Sequence, residues 1–362
     1  MRNRSFRPAR SVALGTAAGL VLAGCLAGVD DRPTVTRGSL SGAVTGAGAT
    51  FPDPLFQEWI AHYEQRVETG VDIGYQAVGS GGGIEQFLAD AVDFGSSERY
   101  LRQGELTVAS EVRGCAAVQF PVLFGAVVLA LHDDALDGLV LDPDVIAGIY
   151  DRRITRYDDP AIAALNPGMA LPEAEILPVH RSDGSGTTYV FTRYLTAEVP
   201  FWAQRYAEGT DIDWHDDTLG GEGNEGVTRA VQENAGGIGY VNQSYALAND
   251  LATARVVNED GQPIEPTLEA TTAASEEASI PDDFQFDIDD IGGSGYPITG
   301  ANWIFAYECG YEDETAAVLR DFWTWVLTDV EADRLAAELG YAPMGRELKR
   351  RVIEEIARIN AG

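Results

Sequence analysis

The sequence is poor in basic residues. Its 362 residues include 25 Lys and Arg against 57 Asp and Glu, which gives a formal net charge of −32. Lys349 is the only lysine. Nucleic-acid backbones require a basic surface, so this composition excludes a general nucleic-acid-binding protein. It also disfavours docking on anionic lipid headgroups.

Long hydrophobic runs are confined to the N-terminus. Four arginines within the first ten residues precede an apolar stretch from Val12 to Ala23. This pattern is typical of a secretory signal peptide and is too short for a good transmembrane helix. The stretch ends in Leu22-Ala23-Gly24-Cys25, which resembles the bacterial lipoprotein processing box. We expect residues 1–24 to be a signal peptide and Cys25 to carry the lipid, with ordinary signal cleavage as the alternative.

Cysteine is scarce as well, with three in the chain. If Cys25 carries the lipid, the mature protein lies outside the cytoplasmic membrane, at the cell surface or in the periplasm, and is anchored through that residue. Cys115 and Cys309 then form a candidate disulfide, because such compartments are oxidising. Two buried free thiols are the alternative.

The rest of the chain indicates a two-domain α/β protein. Its length suits two domains, and 45% of its residues are hydrophobic, which is enough for real cores. Residues 25–40 are small and polar and predict a tether. From Ser41 onward, β-rich runs alternate with helical patterns. We expect strands at Val71–Val78 and Val118–Leu131, helices at 84–91, 142–156, 316–327 and 331–359, and an irregular surface excursion at 258–295.

Three segments rich in Gly, Ser and Thr each lead into a helical pattern. They are Gly46–Phe51, Gly79–Gly83 and Arg181–Thr188. Each would present hydroxyls and unobstructed backbone N–H groups at a helix N-terminus, where anions bind well. Arg181 adds a planar charged fork that suits a tetrahedral oxyanion. None of the segments matches a nucleotide-binding fingerprint. One such loop alone predicts only a turn and a cap, so the anion site requires that the loops converge.

In their order along the chain, these motifs resemble the extracytoplasmic phosphate-binding protein of high-affinity phosphate ABC importers, the PstS type. The resemblance covers about residues 46–345. It implies two lobes, each a mixed sheet flanked by helices, joined by a hinge with phosphate in the cleft between them. Lobe I would combine 41–125 with 295–362, and lobe II would be 126–294. Further matching motifs are Val92–Ser97, Phe120–Val122, Gly223–Val227, Gly237–Tyr240 and Tyr296–Ile298.

The same resemblance implies the ligand contacts. Asp183 would orient Arg181 by a salt bridge. Glu98 stands where the family usually has Asp, whose carboxylate accepts the proton of hydrogen phosphate; an exposed loop acid is the alternative. Sulfate carries no such proton near neutral pH and would be rejected. The expected direct contacts are Thr50, Phe51, Ser80, Glu98, Arg181, Ser185, Gly186 and Thr187.

The implied function is capture of inorganic phosphate and its delivery to a membrane permease by a monomeric binding protein. No catalytic activity, cofactor or metal site is expected. A phosphate-sensing surface protein and a secreted phosphatase on the same scaffold are the alternatives. A hydrolase would need a serine beside a base, yet no serine sits in a G-x-S-x-G elbow. The four histidines are scattered without metal-ligand spacing.

Overall fold

A computed structural model describes residues 38–360 of the chain. The predicted signal peptide, Cys25 and nearly all of the predicted tether lie outside the described residues. Within 38–360, no helix is long and apolar enough to serve as a membrane span.

Strands and helices alternate along the described chain, which confirms the predicted α/β class. The strands are β1 (Ser41–Gly48), β2 (Gly70–Ala77), β3 (Phe94–Ser97), β4 (Ala117–Leu131), β5 (Val140–Leu141), β6 (Leu177–Arg181), β7 (Leu219–Gly221), β8 (Gly237–Asn242), β9 (Ala252–Thr253), β10 (Arg255–Val257), β11 (Pro263–Ile264) and β12 (Thr299–Tyr307). The helices are α1 (Asp53–His62), α2 (Gly79–Leu88), α3 (Gln103–Arg113), α4 (Pro143–Tyr150), α5 (Pro160–Leu165), α6 (Gly186–Glu198), α7 (Pro200–Arg205), α8 (Gly223–Glu233), α9 (Gln243–Ala248), α10 (Leu268–Glu277), α11 (Asp313–Thr328), α12 (Val330–Glu338) and α13 (Arg346–Ile356).

Strand β4 runs through both halves of a nine-stranded mixed sheet of order β2-β1-β3-β12-β4-β8-β6-β7, to which β9 adds by pairing with β4. Ala117–Ala126 pair antiparallel with β12, and Val127–Leu131 pair antiparallel with β8. On either side lie parallel pairs, β1 with β2 and β3, and β6 with β7 and β8. The helices α11 and α13 near the C-terminus pack on β1 and β4. One strand therefore links the two halves.

The sequence of β4 explains its central place. All fourteen residues after Ala117 are buried, as expected for an apolar run covered on both faces. The ladder with β12 shifts register at Asn302 and Trp303, which face Leu123 and Pro121. Proline has no N–H to donate, so a proline in a central strand is confined to such an irregularity. The predicted strand at 118–131 is confirmed.

Two predicted helices are longer than the helices in the structure. The helix expected at 142–156 ends at Tyr150. The tail expected to be helical from 331 to 359 is divided into α12 and α13. Gly340, with φ of +81°, turns the chain after α12, and Ala342 then forms a bridge with Phe124 of β4. Pairing with the sheet thus outweighs the local helical pattern.

The predicted surface excursion at 258–295 is also wrong. It contains α10, and its aromatic and aliphatic side chains Phe284, Phe286 and Ile288 are buried. Phe286 packs on Trp303, whose indole N–H donates to the Phe284 carbonyl over 2.8 Å. Polar residues, Gln285 and Asp287, alternate with these side chains and hide the apolar pattern in the sequence, so the composition indicates a solvated loop.

A disulfide joins Cys115 to Cys309 in the structure, with 6.1 Å between the Cα atoms. Each cysteine lies just beyond the end of the β4–β12 ladder, where Ala117 pairs with Tyr307. The pairing of β4 with β12 already brings the two cysteines close together. The disulfide then joins positions that are 194 residues apart in sequence.

Replacing both Cys115 and Cys309 with Ser is expected to lower the free energy of unfolding by about 2–4 kcal/mol, because the cross-link restricts the unfolded chain. Denaturant unfolding of the oxidised wild type, the reduced wild type and the double variant measures this. Reductant should destabilise the wild type and leave the variant unchanged. Equal stability of all three would contradict a stabilising disulfide.

Candidate functional site

The three Gly-rich segments meet where the two halves of the sheet face each other. The backbone N–H of Gly81 donates to the carbonyl of Gly184 over 2.9 Å. Gly79 has φ of +81°, and a Cβ there would lie 2.5 Å from Asp183 Oδ2. Glycine is therefore required at position 79 by both conformation and space. The side chain of Asn224 reaches across to Thr50 Oγ1 over 2.9 Å.

The N-terminus of α6 forms one wall of the site. Ser185 is its N-cap, and its Oγ accepts a hydrogen bond from the Thr188 N–H at 3.0 Å. Gly186 and Thr187 follow as buried residues of this 13-residue helix. The remaining N–H groups of the first turn lack partners within the helix, and the helix dipole adds positive charge there. This end is therefore suited to an anion.

Arg181 ends β6 and is 2% exposed, so its charge is almost completely removed from water. Its Nε and Nη2 donate to the two carboxylate oxygens of Asp183 at 2.7 and 2.5 Å, and Nη1 donates to Thr187 Oγ1 at 3.3 Å. Burial by itself would raise the pKa of Asp183, but the hydrogen bonds and charge of Arg181 outweigh it and lower the pKa. Asp183 thus holds the guanidinium in one orientation.

Glu98 follows β3 and faces this wall from the other half. It is 2% exposed, which contradicts the alternative of an exposed loop acid. Ser80 Oγ donates to its Oε2 at 2.9 Å, and Asn302 Nδ2 donates to its Oε1 at 2.7 Å. Burial raises the pKa of Glu98 to about 7, although the bonds from Asn302 and Ser80 and the charge of Arg181 act in the opposite direction. The carboxylate is thus close to a protonation change at neutral pH.

Thr50 and Phe51 contribute to the site in different ways. Thr50 is buried, and its carbonyl accepts a hydrogen bond from the Tyr245 hydroxyl at 2.7 Å. The ring of Phe51 packs in the core against Tyr341, whose hydroxyl donates to the Phe51 carbonyl. The structure therefore leaves only backbone groups of Phe51 for a ligand, while Thr50 also has its hydroxyl at the cleft.

Gly186 lies where the two halves pack tightly against each other. A Cβ at this position would lie 2.0 Å from Glu98 Oε2 and 2.4 Å from Ser80 Oγ. Ser80 and Glu98 therefore lie against the start of α6.

Four side chains at the site were missed by the sequence predictions: Asn224, Tyr240, Tyr245 and Asn302. Asn224 bridges the hydroxyls of Thr50 and Thr187. The sequence could have indicated this residue, since it lies in the matching motif Gly223–Val227. The Tyr240 hydroxyl accepts the N–H of Arg181 at 3.0 Å. Asn302 lies 204 residues from Glu98 in sequence, and no local pattern indicates it.

An open groove of about 720 Å³ adjoins the site at Thr50, Asp183 and Gly223. Its outer walls carry Asp53 on α1 and Glu225 on α8. Burial raises the pKa of Asp53, and the charge of Glu225 adds to this effect, since the two carboxylates lie on opposite sides of the groove. In residues 38–360 no cluster of His, Cys, Asp and Glu suits a metal ion.

Comparison with known proteins assigns the family. The chain matches the PBP superfamily domain over residues 33–330. It is 38% identical to the phosphate-binding protein PstS of Xylella fastidiosa, covering 85% of this chain and 83% of that one. It is 34% identical to the PstS of Pasteurella multocida, covering 85% and 88%. This chain belongs to the PstS family.

The fold of this PstS-family protein is shared with solved structures. One is a high-affinity periplasmic phosphate-binding protein, PfluDING, with bound phosphate; it is 24% identical, has a TM-score of 0.71, and the match covers 86% of this chain and 93% of that one. The predicted two-lobed fold is confirmed. The lobe boundaries at residues 125 and 295 remain a prediction.

Replacing Gly186 with Ala is expected to weaken anion binding by this PstS-family protein about tenfold or more, because the new methyl group overlaps Glu98 and Ser80 and overpacking costs about 1–3 kcal/mol. Gly104→Ala on α3 is the matched control, since nothing lies within 4 Å of a Cβ there. Calorimetric titration of both variants with phosphate measures the effect. Equal affinities would show that the lobes do not close tightly at Gly186.

Proposed function

We propose that this PstS-family protein binds inorganic phosphate in the cleft between its lobes and delivers it to an ABC permease. The observation that carries the proposal is the convergence of Arg181, the α6 N-terminus and buried hydroxyls around one buried carboxylate, Glu98. The relatives at 34–38% identity are named phosphate-binding proteins, which supports the same ligand.

A tetrahedral oxyanion suits these donors. The guanidinium of Arg181, the N–H groups that start α6, and the hydroxyls of Thr50 and Thr187 all offer hydrogen to acceptor oxygens, whereas the hydroxyl proton of Ser80 is donated to Glu98. Charge-assisted bonds of this kind are strong in a dry site. The Asp183 pair keeps Arg181 in place before the ligand arrives, so less conformational entropy is lost on binding.

Glu98 supplies the selectivity. An ionised carboxylate facing an anion is repulsive unless the anion carries a proton to share. Monohydrogen phosphate carries one, and its hydroxyl would donate to Glu98. Sulfate carries none, so two acceptors would face each other unpaired in a site without water. The side chain of Glu98 has one methylene more than the Asp usual in the family.

The acidic surface does not conflict with an anionic ligand. Exposed charges are screened over about 8–10 Å at moderate salt, whereas the buried donors act at contact. The net charge of −32 would slow the approach of phosphate at low ionic strength and leave the contacts in the cleft unchanged.

We further propose an extracytoplasmic protein that is anchored by a lipid on Cys25 after removal of residues 1–24. Lobe I would comprise 41–125 and 295–362, and lobe II would comprise 126–294, with hinge closure around the ligand. The protein would act as a monomer, with a membrane permease as its partner. Family membership supports this assignment, and the N-terminal pattern of the sequence supports the anchor.

A phosphatase is less consistent with the site. Ser80 bonds to Glu98 and Ser185 caps α6, so neither faces a histidine base. His132 and His180 bond to backbone carbonyls, His215 accepts from the Asp217 N–H, and His62 stacks on Trp325. No observation on the described residues favours hydrolysis, and we propose a binding protein without catalytic activity.

Replacing Arg181 with Ala should weaken phosphate binding more than about 100-fold, because loss of one member of a buried ion pair costs about 3–5 kcal/mol and the ligand loses its strongest donor. Calorimetric titration of the desalted mature protein with phosphate, arsenate and sulfate measures this. Arg156→Ala is the control, since that arginine pairs with Asp158 on the surface. If the wild type binds phosphate and Arg181→Ala binds it equally well, Arg181 is not in the site.

Sulfate affinity should rise as pH falls through about 7, the raised pKa of Glu98, because only the protonated carboxyl can donate to sulfate. Above this pH, Glu98 must take up a proton when sulfate binds, so the affinity for sulfate should fall about tenfold per pH unit. Glu98→Gln should bind sulfate more tightly at high pH and lose this dependence. Titrations between about pH 5.5 and 8.5 test the expectation, and the same slope in both proteins would show that Glu98 is not its source.

A further inference from the structure

We propose that Asn302 is a positioning residue that sets the anion selectivity of the site, because it fixes which oxygen of Glu98 faces the ligand. This inference rests on the proposed function. It concerns a side chain that acts through Glu98, to which its amide is bonded.

Asn302 is fully buried, and its side-chain amide is hydrogen-bonded to Glu98 and Ser96. Its Nδ2 donates to Glu98 Oε1 at 2.7 Å and lies 3.0 Å from Ser96 Oγ. An ionised carboxylate can only accept hydrogen bonds, so the NH₂ end of the amide must face Glu98. Ser80 Oγ is bonded to the other oxygen, Oε2. The two oxygens of Glu98 are thereby made different: Oε1 is held by Asn302, and Oε2 lies at Gly186, in the cleft.

The strand register explains how Asn302 reaches Glu98. Strand β12 runs antiparallel to β3, with Trp303 opposite Ser97. Asn302 precedes Trp303, and Glu98 follows Ser97. In an antiparallel pair these two positions are therefore neighbours, just past the end of β3. The β12–β4 register shift falls between Asn302 and Trp303, with Val122 unpaired. Irregularities of this kind occur beside binding sites, where they redirect side chains.

The length of Glu98 makes this support necessary. Glutamate has one more rotatable bond than aspartate, so its carboxylate can take more orientations at the end of its chain. A rotated carboxylate would present a different edge to the ligand. Donors on both oxygens limit this rotation, and an acceptor lone pair of Oε2 remains for the hydroxyl of phosphate. Asn302 thus compensates for the departure from the usual Asp.

An exchange of the donor and the acceptor between the two positions tests the proposal. In Glu98→Gln, the new amide can turn either its oxygen or its NH₂ toward the ligand, so sulfate gains a donor. In the double variant E98Q/N302D, the new aspartate can only accept, and it draws the NH₂ of the new glutamine toward itself. The glutamine oxygen must then face the cleft, which restores an acceptor there without changing the charge from that of the wild type.

We expect the ratio of phosphate to sulfate affinity at pH 8 to fall about tenfold or more in E98Q and to recover in E98Q/N302D to within about threefold of the wild type. E98Q/N302L is the matched control; a leucine of similar size cannot accept, so the ratio should stay low. Calorimetric titration with each anion gives the ratios, and thermal unfolding verifies folding. A double variant that is folded but no more selective than E98Q would overturn the role of Asn302.

The single variant Asn302→Leu gives a second test that does not depend on the double variant. Loss of the donor should favour the protonated form of Glu98, so the pH below which sulfate binds should shift upward by about one unit. A merely structural role would weaken both anions alike and leave that pH unchanged, which would contradict the proposal. Within residues 38–360, the other titratable groups near Glu98, either close to it or across a small cavity, are Arg181, Arg193, Asp287, Tyr75, Tyr189, Tyr245 and Tyr341.

Different results would contradict the proposed phosphate binding and the proposed role of Asn302. A wild type that does not bind phosphate contradicts the proposed function. A wild type that binds phosphate and rejects sulfate, together with an E98Q variant that loses this preference, supports the function, and the response to changes at Asn302 then decides the inference alone.

Discussion

An oxyanion taken out of water must find a hydrogen-bond partner for each of its oxygens, and this requirement accounts for most of the site. No single element of a compact fold can surround a tetrahedral ion. In the proposed site the donors therefore come from both halves of the sheet: the Thr50 hydroxyl from the segment after β1, the first turn of α6, and Arg181 from β6. A buried carboxylate, Glu98, is compatible with this arrangement because its oxygens are themselves bonded by Ser80 and Asn302.

The sheet brings these groups together. In open α/β sheets, ligands bind beyond the carboxyl ends of parallel strands. The parallel strands β1 and β3 end at Gly48 and Ser97, so Thr50 and Glu98 follow them at the same edge. Strand β6 ends at Arg181 in the other lobe. Because β4 belongs to both halves of the sheet, the two edges face each other across one cleft.

Close packing of backbone at the cleft explains the glycines of the motifs. A Cβ on Gly83 would lie 2.4 Å from the Cα of Gly48, and one on Gly186 would overlap Glu98. The glycines are thus required by the approach of segments that are distant in sequence. The same closeness excludes water, which strengthens the electrostatic contacts of Arg181 and makes the protonation of Glu98 sensitive to its neighbours.

The sequence by itself determined the α/β class, the central strand at 118–131 and the Gly-rich loops, because each has a local signature of periodicity or motif. The tertiary structure alone decided where the tail breaks, since Ala342 pairs with β4, and why Phe284, Phe286, Ile288 and Ile291 are buried. It alone also placed Asn302 beside Glu98. That contact joins positions 204 residues apart through the register of two strands, and such a register leaves no trace in either local sequence.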